Sequence, residues 1–338
     1  MIIAFLVALA VSLMMTPVTK KLGVKLGIFD QPDARKVHNG SMTRLGGIGI
    51  YCGFLSGLLA YGNFTKPVLG LLISSTMVVA VGLYDDIKGI TPKMKLLGQV
   101  AAAIVLIGFD VRLEFLTNPI NGNLIDMGFW GLPITLFWLI GVSNAVNLID
   151  GLDGLAGGIS AIAALSLAVV SLSKGFWGSG AIALVLVGSL AGFLRYNFHP
   201  AKLFMGDCGA LFLGFVLGAL SILGLSEGTT VIALFIPIMV LGIPILDTFF
   251  AIVRRYKNNK PIFEADKGHL HHRLLDMGVD HKYTVLFIYA ITFILCALAV
   301  LVTLLPTLSS IVLLLVTIVL IFVGAARLGI MGDKKSPT

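Results

Sequence analysis

The chain has 338 residues, of which 57% are hydrophobic and 12% are charged, and its formal net charge is +7. Soluble domains carry about twice that share of charged residues, so the composition excludes an ordinary soluble domain and favours a chain surrounded mostly by lipid. In a membrane protein a surplus of basic residues reflects orientation, so we expect no nucleic-acid partner. The three cysteines (Cys52, Cys208 and Cys296) have neither metal-site nor disulfide spacing.

Apolar segments follow one another along the whole chain. A helix needs about 20 mostly apolar residues to cross a bilayer. Eleven segments are candidates: 1–19, 46–62, 67–84, 95–110, 129–146, 154–172, 178–194, 208–224, 229–252, 283–304 and 308–326. The first lacks the basic start and cleavage site of a signal peptide, so we interpret it as a retained span. The stretch 110–128 has mixed polarity and is predicted to lie at the surface. We therefore expect an all-α integral membrane protein with a single polytopic domain, 1–338.

The basic residues are distributed very unevenly between the two sides of such a membrane protein. Of the 24 Lys and Arg residues, 21 fall in the loops of one side if the eleven segments all cross the bilayer. Only Lys66, Arg112 and Lys174 fall on the other side. Because basic loops stay in the cytoplasm, the N-terminus is predicted outside and the C-terminus inside. The acidic and amide residues discussed next then all lie on the cytoplasmic face.

The first candidate site is the pair of acids in AVGLYDDIKG, where an apolar run ends on Asp85 and Asp86. Adjacent carboxylates repel each other, so a positive group is needed to hold them together. Neighbouring helical residues point about 100° apart, so the two acids cannot face one ion in the same way. We therefore expect the two acids to have different roles.

The second candidate is NAVNLIDGLDG, in which Asn144, Asn147, Asp150 and Asp153 recur every third residue. On a helix this spacing forms one polar stripe. A third candidate, Asp207, lies between two glycines where an apolar helix begins, which suits either a helix cap or a metal ligand. Hard oxygen ligands brought to one membrane face are what Mg²⁺ prefers, together with substrate phosphates. We therefore predict a Mg²⁺ site, with Mn²⁺ as the alternative metal.

The longest cytoplasmic loop contains GHLHHR, which places His269, His271 and His272 beside Arg273. These donors suit a diphosphate, whereas a zinc site would need a spacing that is absent here. In a helical turn His269 and His272 share a face and His271 points elsewhere, unless the segment is extended. The first loop adds further positive groups or histidines at Arg35, Lys36, His38 and Arg44. No phosphate-binding glycine motif follows a strand, so nucleotide binding by those routes is unsupported.

Four motifs in this order, DD at 85–86, NAVNLIDGLDGLAGG at 144–158, GD at 206–207 and HLHH at 269–272, resemble those of the polyprenyl-phosphate N-acetylhexosamine-1-phosphate transferases. The resemblance covers about residues 30–275. It implies an enzyme of the bacterial plasma (inner) membrane that starts cell-envelope polymers, with a UDP-sugar donor, undecaprenyl phosphate as acceptor and Mg²⁺ dependence. HLHH is similar to the branch that transfers N-acetylglucosamine 1-phosphate for teichoic acid linkage units or O-antigens. A related donor, including UDP-MurNAc-pentapeptide, stays open, as does the oligomeric state, with a homodimer as one alternative.

The resemblance also assigns roles to individual residues. It makes Asp85 and Asp86 catalytic and places the metal on Asp207 with Asn147. Of the two acids, one is expected to act on the metal or on Lys95 and the other on the acceptor phosphate. The predicted substrate-binding residues are Arg44, Lys95, Asn144, Asp150, Gly151, Leu152, Asp153, Asn197, His269, His271, His272 and Arg273. A different class, an ion-coupled transporter, would use acids near the middle of spans and an inverted repeat. The acids here fall at span ends on one side, which favours the enzyme.

Overall fold

The computed structural model describes residues 1–30, 42–117, 124–224, 235–257 and 268–327. Its helices are α1 (Ile2–Leu26), α2 (Gly46–Tyr61), α3 (Lys66–Lys88), α4 (Pro92–Gly108), α5 (Gly131–Ile149), α6 (Leu155–Ser173), α7 (Trp177–Asn197), α8 (Gly206–Leu223), α9 (Phe235–Val240), α10 (Gly242–Lys257), α11 (Leu270–Asp276), α12 (His281–Leu304) and α13 (Thr307–Arg327). Two antiparallel hairpins add β1 (Phe29–Asp30) with β2 (Met42–Thr43), and β3 (Phe115–Thr117) with β4 (Leu124–Asp126). A 3₁₀ turn, Gly128–Trp130, precedes α5. The predicted helical class is confirmed.

Each of the eleven predicted spans overlaps at least one of these helices. Eight helices of the described residues, α1, α3, α5, α6, α7, α8, α12 and α13, are long and apolar enough to cross a membrane. The chain is thus a multi-pass membrane protein. Helices α2 and α4 have 16 and 17 residues and fall short of that length. The count of eleven spans and the predicted orientation stay predictions.

The predicted span 229–252 is not one continuous helix. Its described part forms α9 and α10, with Leu241 between them. Pro244 explains the break, because proline has no N–H to donate to the carbonyl of Val240 four residues earlier. The Val240 oxygen accepts a hydrogen bond from Sγ of Cys296 on α12 instead, at 3.8 Å. The single-helix interpretation of this span is therefore wrong.

Helix α8 lies at the centre of the bundle and is almost entirely buried, from Cys208 to Ile222. It packs against α3, α5 and α2. Glycines permit the closest approaches: a Cβ at Gly82 of α3 would lie 2.6 Å from the backbone nitrogen of Cys208, and one at Gly47 would overlap the backbone of Gly209. Small residues let helix backbones approach closely inside membranes. This contact fixes the end of α3, and so Asp85 and Asp86, beside the first turn of α8.

We expect Gly82→Ala to destabilise the protein by about 1–3 kcal/mol, because the added methyl group forces α3 away from α8. Thermal unfolding in detergent should show a lower Tm, and turnover should fall because Asp85 follows one helical turn later. The matched control is Gly141→Ala in α5, where a Cβ would meet nothing within 4 Å. Equal Tm values for the two variants would contradict the assigned contact.

Candidate active site

Lys95 connects two of the predicted acids. Near the start of α4, it forms ion pairs with Asp85 at the end of α3 and with Asp207 in the first turn of α8. Oδ1 of Asp85 also accepts a hydrogen bond from the backbone N–H of Ile90, at 2.7 Å. The side chains of Lys95, Asp85 and Asp207 are 18%, 12% and 32% exposed, so they are shielded yet reachable. Helices α3, α4 and α8 therefore place the Lys95 ammonium group between two carboxylates that are distant in sequence.

Asp86 has different partners from Asp85, as the sequence predicted. Its two oxygens accept the backbone N–H groups of Asp207 and Cys208, each at 2.9 Å. The first N–H groups of a helix have no partner within the helix, and here a side chain from α3 supplies one. The capping alternative for Asp207 is therefore wrong, because Asp86 performs that role. Arg44 interacts electrostatically with Asp86, which places this predicted residue beside the site.

The stripe predicted over residues 144–153 is only half helical. Helix α5 ends at Ile149, and Asp150 leaves it with φ −75° and ψ 58°. We call residues 150–154, which connect α5 to α6, the donor loop. Gly154 has a φ of 76°, which glycine adopts without strain. Residues 150–154 thus form a connection between the predicted spans 129–146 and 154–172, and only Asn144 and Asn147 share a helical face.

The donor loop carries an unusually basic carboxylate. Burial, and after it repulsion by Asp207, Asp86 and Asp153, together raise the pKa of Asp150 from an ordinary value of 3.8 to about 7. Carboxylates crowded in this way, with Asn147 in the preceding turn of α5, form an oxygen-rich donor set that fits a hard divalent cation such as Mg²⁺.

Neighbouring elements hold the donor loop from both sides. The amide oxygen of Asn197, at the end of α7, accepts a hydrogen bond from the Gly154 N–H at 3.1 Å, while its Nδ2 donates to the Leu203 carbonyl at 3.0 Å. On α12, the Tyr289 hydroxyl donates to the Gly154 carbonyl at 2.5 Å. Asn197 thus has a structural role in addition to any contact with substrate.

Asp153 forms a compact group with two histidines that the sequence analysis did not select, His199 and His281. One carboxylate oxygen of Asp153 and one ring nitrogen of each histidine all lie within 4.8 Å of one another, a separation that could hold a metal ion. However, Nδ1 of His199 lies 2.9 Å from Oδ2 of Asp153, and the Asp153 N–H donates to Nε2 of His281 at 3.1 Å. The Ala201 N–H also donates to Oδ2 of Asp153. These hydrogen bonds account for the group as a support for the donor loop.

The three predicted histidines form one cluster beside the donor loop. The rings of His269 and His271 are nearly parallel with centroids 5.9 Å apart, and those of His271 and His272 are 4.2 Å apart. His271 packs against Gly151, where a Cβ would lie 3.0 Å from its Cε1 atom. His271 thus does not point away, because the extended alternative applies at the start of the segment: α11 begins only at Leu270, and His269 precedes the helix in an extended conformation.

His271 is buried and neutral. Burial, followed by repulsion from His272, lowers the pKa of His271 to about 3. Neither of its ring nitrogens has a hydrogen-bond partner among the described residues. An unsatisfied buried polar atom costs about 1–3 kcal/mol, so this ring is prepared for a partner that the described part of the chain does not supply.

The sequence of this chain is similar to those of known proteins. The glycosyl transferase family 4 pattern matches residues 68–225. A probable undecaprenyl-phosphate N-acetylglucosaminyl 1-phosphate transferase of Bacillus subtilis is 39% identical over 99% of this chain and 94% of its own. The chain belongs to the polyprenyl-phosphate N-acetylhexosamine-1-phosphate transferase family. Members of this family transfer a phosphosugar to a polyprenyl phosphate.

Two further relatives differ in their named substrates. A decaprenyl-phosphate N-acetylglucosaminephosphotransferase of Mycolicibacterium smegmatis is 34% identical over 79% of this chain and 73% of its own. A phospho-N-acetylmuramoyl-pentapeptide-transferase of Shouchella clausii is 32% identical, over 81% and 88% respectively. The transferase is thus more similar to the two N-acetylglucosamine relatives, as HLHH indicated.

The remaining predicted residues of the transferase have mixed outcomes. Asn144 forms a reciprocal pair with Gln99 of α4, in which its Nδ2 donates to Oε1 at 2.7 Å, so its amide has a packing role. Leu152 is buried in the donor loop. Nε of Arg273 donates to the Gly268 carbonyl at 3.4 Å. The first-loop residues Arg35, Lys36 and His38 lie outside the described residues.

Sequence reasoning missed Gln99, His199, Asp247, His281 and Tyr289. Each lies alone within or beside an apolar segment, without a motif around it. The one available signal was the membrane context: Asp247 is an acid within a predicted span, and such residues usually have a function and a partner.

Proposed function

We propose that this protein transfers N-acetylglucosamine 1-phosphate from UDP-GlcNAc to undecaprenyl phosphate, giving undecaprenyl-diphospho-GlcNAc and UMP. The supporting observation is the meeting of two unlike groups: the ring of His271, with both nitrogens unsatisfied, lies against Gly151 in a loop that also carries Asp150. A donor with uridine, phosphate and sugar groups offers hydrogen bonds to both. The 39% identity to the Bacillus subtilis relative supports N-acetylglucosamine as the sugar.

The residues suggest how the reaction proceeds. A phosphate monoester has a second pKa near 6, so the acceptor is mostly a dianion at pH 7 and can attack without a strong base. An acceptor oxygen attacks the sugar-bearing phosphorus, the phosphoanhydride bond breaks, and UMP leaves with the electron pair. The main obstacle is repulsion between two anions. Lys95 lowers this repulsion beside the carboxylates, and the histidine cluster orients the donor for in-line attack.

Mg²⁺ is part of the proposal. Asp207, Asn147 and Asp150 would hold it, because they supply oxygen ligands in a region with crowded negative charge. When bound, the cation would neutralise phosphate charge and help to align the diphosphate. The apolar acceptor chain enters from the bilayer, and the charge distribution of the loops supports a site on the cytoplasmic face of the plasma membrane.

We expect the Mg²⁺ requirement to depend on pH through Asp150. Its raised pKa means that the metal-free site holds a proton below about pH 7, and this proton must leave when the cation binds. The Mg²⁺ concentration for half-maximal UMP release should therefore fall about tenfold per unit from pH 5.5 to 7, and level off above pH 7. Asp150→Asn should remove this slope. A slope that persists in the variant would exclude Asp150 as its source.

A donor panel tests the function directly. Purified protein in detergent receives undecaprenyl phosphate, Mg²⁺ and one of UDP-GlcNAc, UDP-GalNAc or UDP-MurNAc-pentapeptide, and UMP is measured. We expect UDP-GlcNAc to have the highest kcat/KM. Preference for the pentapeptide donor would assign the activity of the Shouchella clausii relative, and no UMP from any donor would refute the proposal.

We also expect His272→Ala to act on the donor and not on the acceptor. The cluster lies beside the donor loop, so its loss should raise KM for the UDP-sugar or lower kcat, with KM for polyprenyl phosphate nearly unchanged. Met277→Ala, an exposed change at the end of α11, is the control. A selective rise in the lipid KM would mean that the cluster serves the acceptor.

A further inference from the structure

An acid from a neighbouring helix orients the first histidine of the cluster. Asp247 lies on α10 and is 5% exposed, as is His269. Oδ2 of Asp247 lies 2.7 Å from Nδ1 of His269, and its Oδ1 accepts the backbone N–H of Leu270 at 2.8 Å. One carboxylate thus contacts both the ring of His269 and the peptide that follows it.

This contact determines the tautomer of His269. An ionised carboxylate only accepts hydrogen bonds, so Nδ1 of His269 must carry the hydrogen. Nε2 is then left with a lone pair when the ring is neutral, and with a hydrogen when it is protonated. The near-parallel stacking of His269 on His271 couples this fixed ring to the one that packs on Gly151.

We propose that Asp247 is a positioning residue for the transfer reaction, which holds the His269 ring in one tautomer and orientation toward the donor's diphosphate. The inference rests on the proposed function. Buried carboxylate–histidine pairs orient rings in this way at other functional sites. Neither motif reasoning nor the family resemblance selected Asp247.

A purely structural role is the alternative, because Asp247 also satisfies an N–H at the start of α11. Asp247→Asn separates the two roles. The asparagine oxygen can still accept the Leu270 N–H, while its NH₂ group faces Nδ1 of His269 and favours the opposite tautomer. His269→Asn is complementary: its amide can still donate to Asp247, but the outer ring nitrogen is lost.

The experiment is a double-mutant cycle with Asp247→Asn, His269→Ala and both together, measured as UMP release from UDP-GlcNAc. Asp247→Asn should lower kcat/KM for the donor about 10- to 100-fold, the range seen when the partner of a metal-binding histidine is removed. KM for the lipid should stay the same. The double variant should be no worse than His269→Ala alone, because Asp247 acts through that ring. His269→Asn should keep the wild-type Tm and show the same fall in kcat/KM for the donor.

The matched control is Asp110→Asn, an exposed acid paired with Lys66 at 2.7 Å whose φ of 65° asparagine also adopts readily. Additive losses in the double variant, near-wild-type kinetics of Asp247→Asn, or a fall in activity that only follows a fall in Tm would each overturn the proposal. The tautomer is read independently by NMR of ¹⁵N-histidine-labelled protein, with His269→Asn to assign the signal. A hydrogen on Nε2 instead of Nδ1 would also overturn it, whether or not the wild type releases UMP. Absence of wild-type turnover alone would refute only the proposed function.

Discussion

Replacing Asp207 by asparagine should lower turnover by roughly 10²- to 10³-fold, a loss typical when one group that stabilises transition-state charge is removed. The carboxylate contacts Lys95 and lies near Asp150, so in the proposed mechanism its charge both places the lysine and holds the cation. The substitution keeps the size of the side chain, and the N–H of residue 207 still donates to Asp86. We therefore expect a nearly unchanged Tm in detergent and a weaker response of the remaining rate to Mg²⁺.

Asp110→Asn again serves as the control and should keep full activity. An Asp207→Asn variant that retains more than about a tenth of the wild-type rate at saturating Mg²⁺ would show that the acid is not needed for the chemistry. A large fall in Tm would indicate that the ion pair with Lys95 mainly supports the fold.

Asparagine at Asp85 and at Asp86 should have opposite consequences. Asp85→Asn weakens the pairing with Lys95, so we expect activity to fall by 10²-fold or more with little change in stability. In wild type, each oxygen of Asp86 accepts one of the first N–H groups of α8. The asparagine of Asp86→Asn has one oxygen and can accept only one of them, while its NH₂ group faces the other N–H. Losing a helix cap costs about 1 kcal/mol, and leaving a buried N–H unsatisfied adds to that cost.

Thermal unfolding and UMP release of both variants, measured side by side, decide this prediction. The pH–rate profiles should also differ, because of these two acids only Asp85 pairs with Lys95, the proposed phosphate contact. Two variants with the same Tm and superimposable pH–rate profiles would refute the division of roles between the adjacent acids.

Much of the site could be predicted because its residues lie in short motifs at the ends of apolar segments. The length of each segment placed Asp85, Asn147 and Asp207 at helix ends, and hydropathy alone is sufficient for that. The sequence could not show which N–H groups Asp86 accepts, because α3 and α8 meet through Gly82 and Cys208, more than a hundred residues apart. Glycine patterns indicate that close packing is permitted, but they do not identify the partner.

The errors have physical causes as well. The three-residue repeat from Asn144 to Asp153 forms one stripe only on a continuous helix, whereas α5 ends at Ile149 and Gly154 adopts a positive φ. The ninth span was predicted as continuous because hydropathy does not register the missing N–H of Pro244. Asp247 and His281 were not predicted because each contacts residues distant in sequence, and no local sequence pattern indicates such a contact.

The support of the donor loop also affects how tightly a donor can bind. Asn197 and Tyr289 hold Gly154, and His281 and His199 hold Asp153, before any ligand is present. Fixing the backbone of a residue costs about 1–2 kcal/mol of conformational entropy. For these residues that entropy is lost when the chain folds, so little more is lost when the donor arrives. Preorganisation of this kind increases affinity by lowering the entropy cost of binding. A donor loop without the support of α12 would therefore bind the same donor more weakly, even with the same contacts.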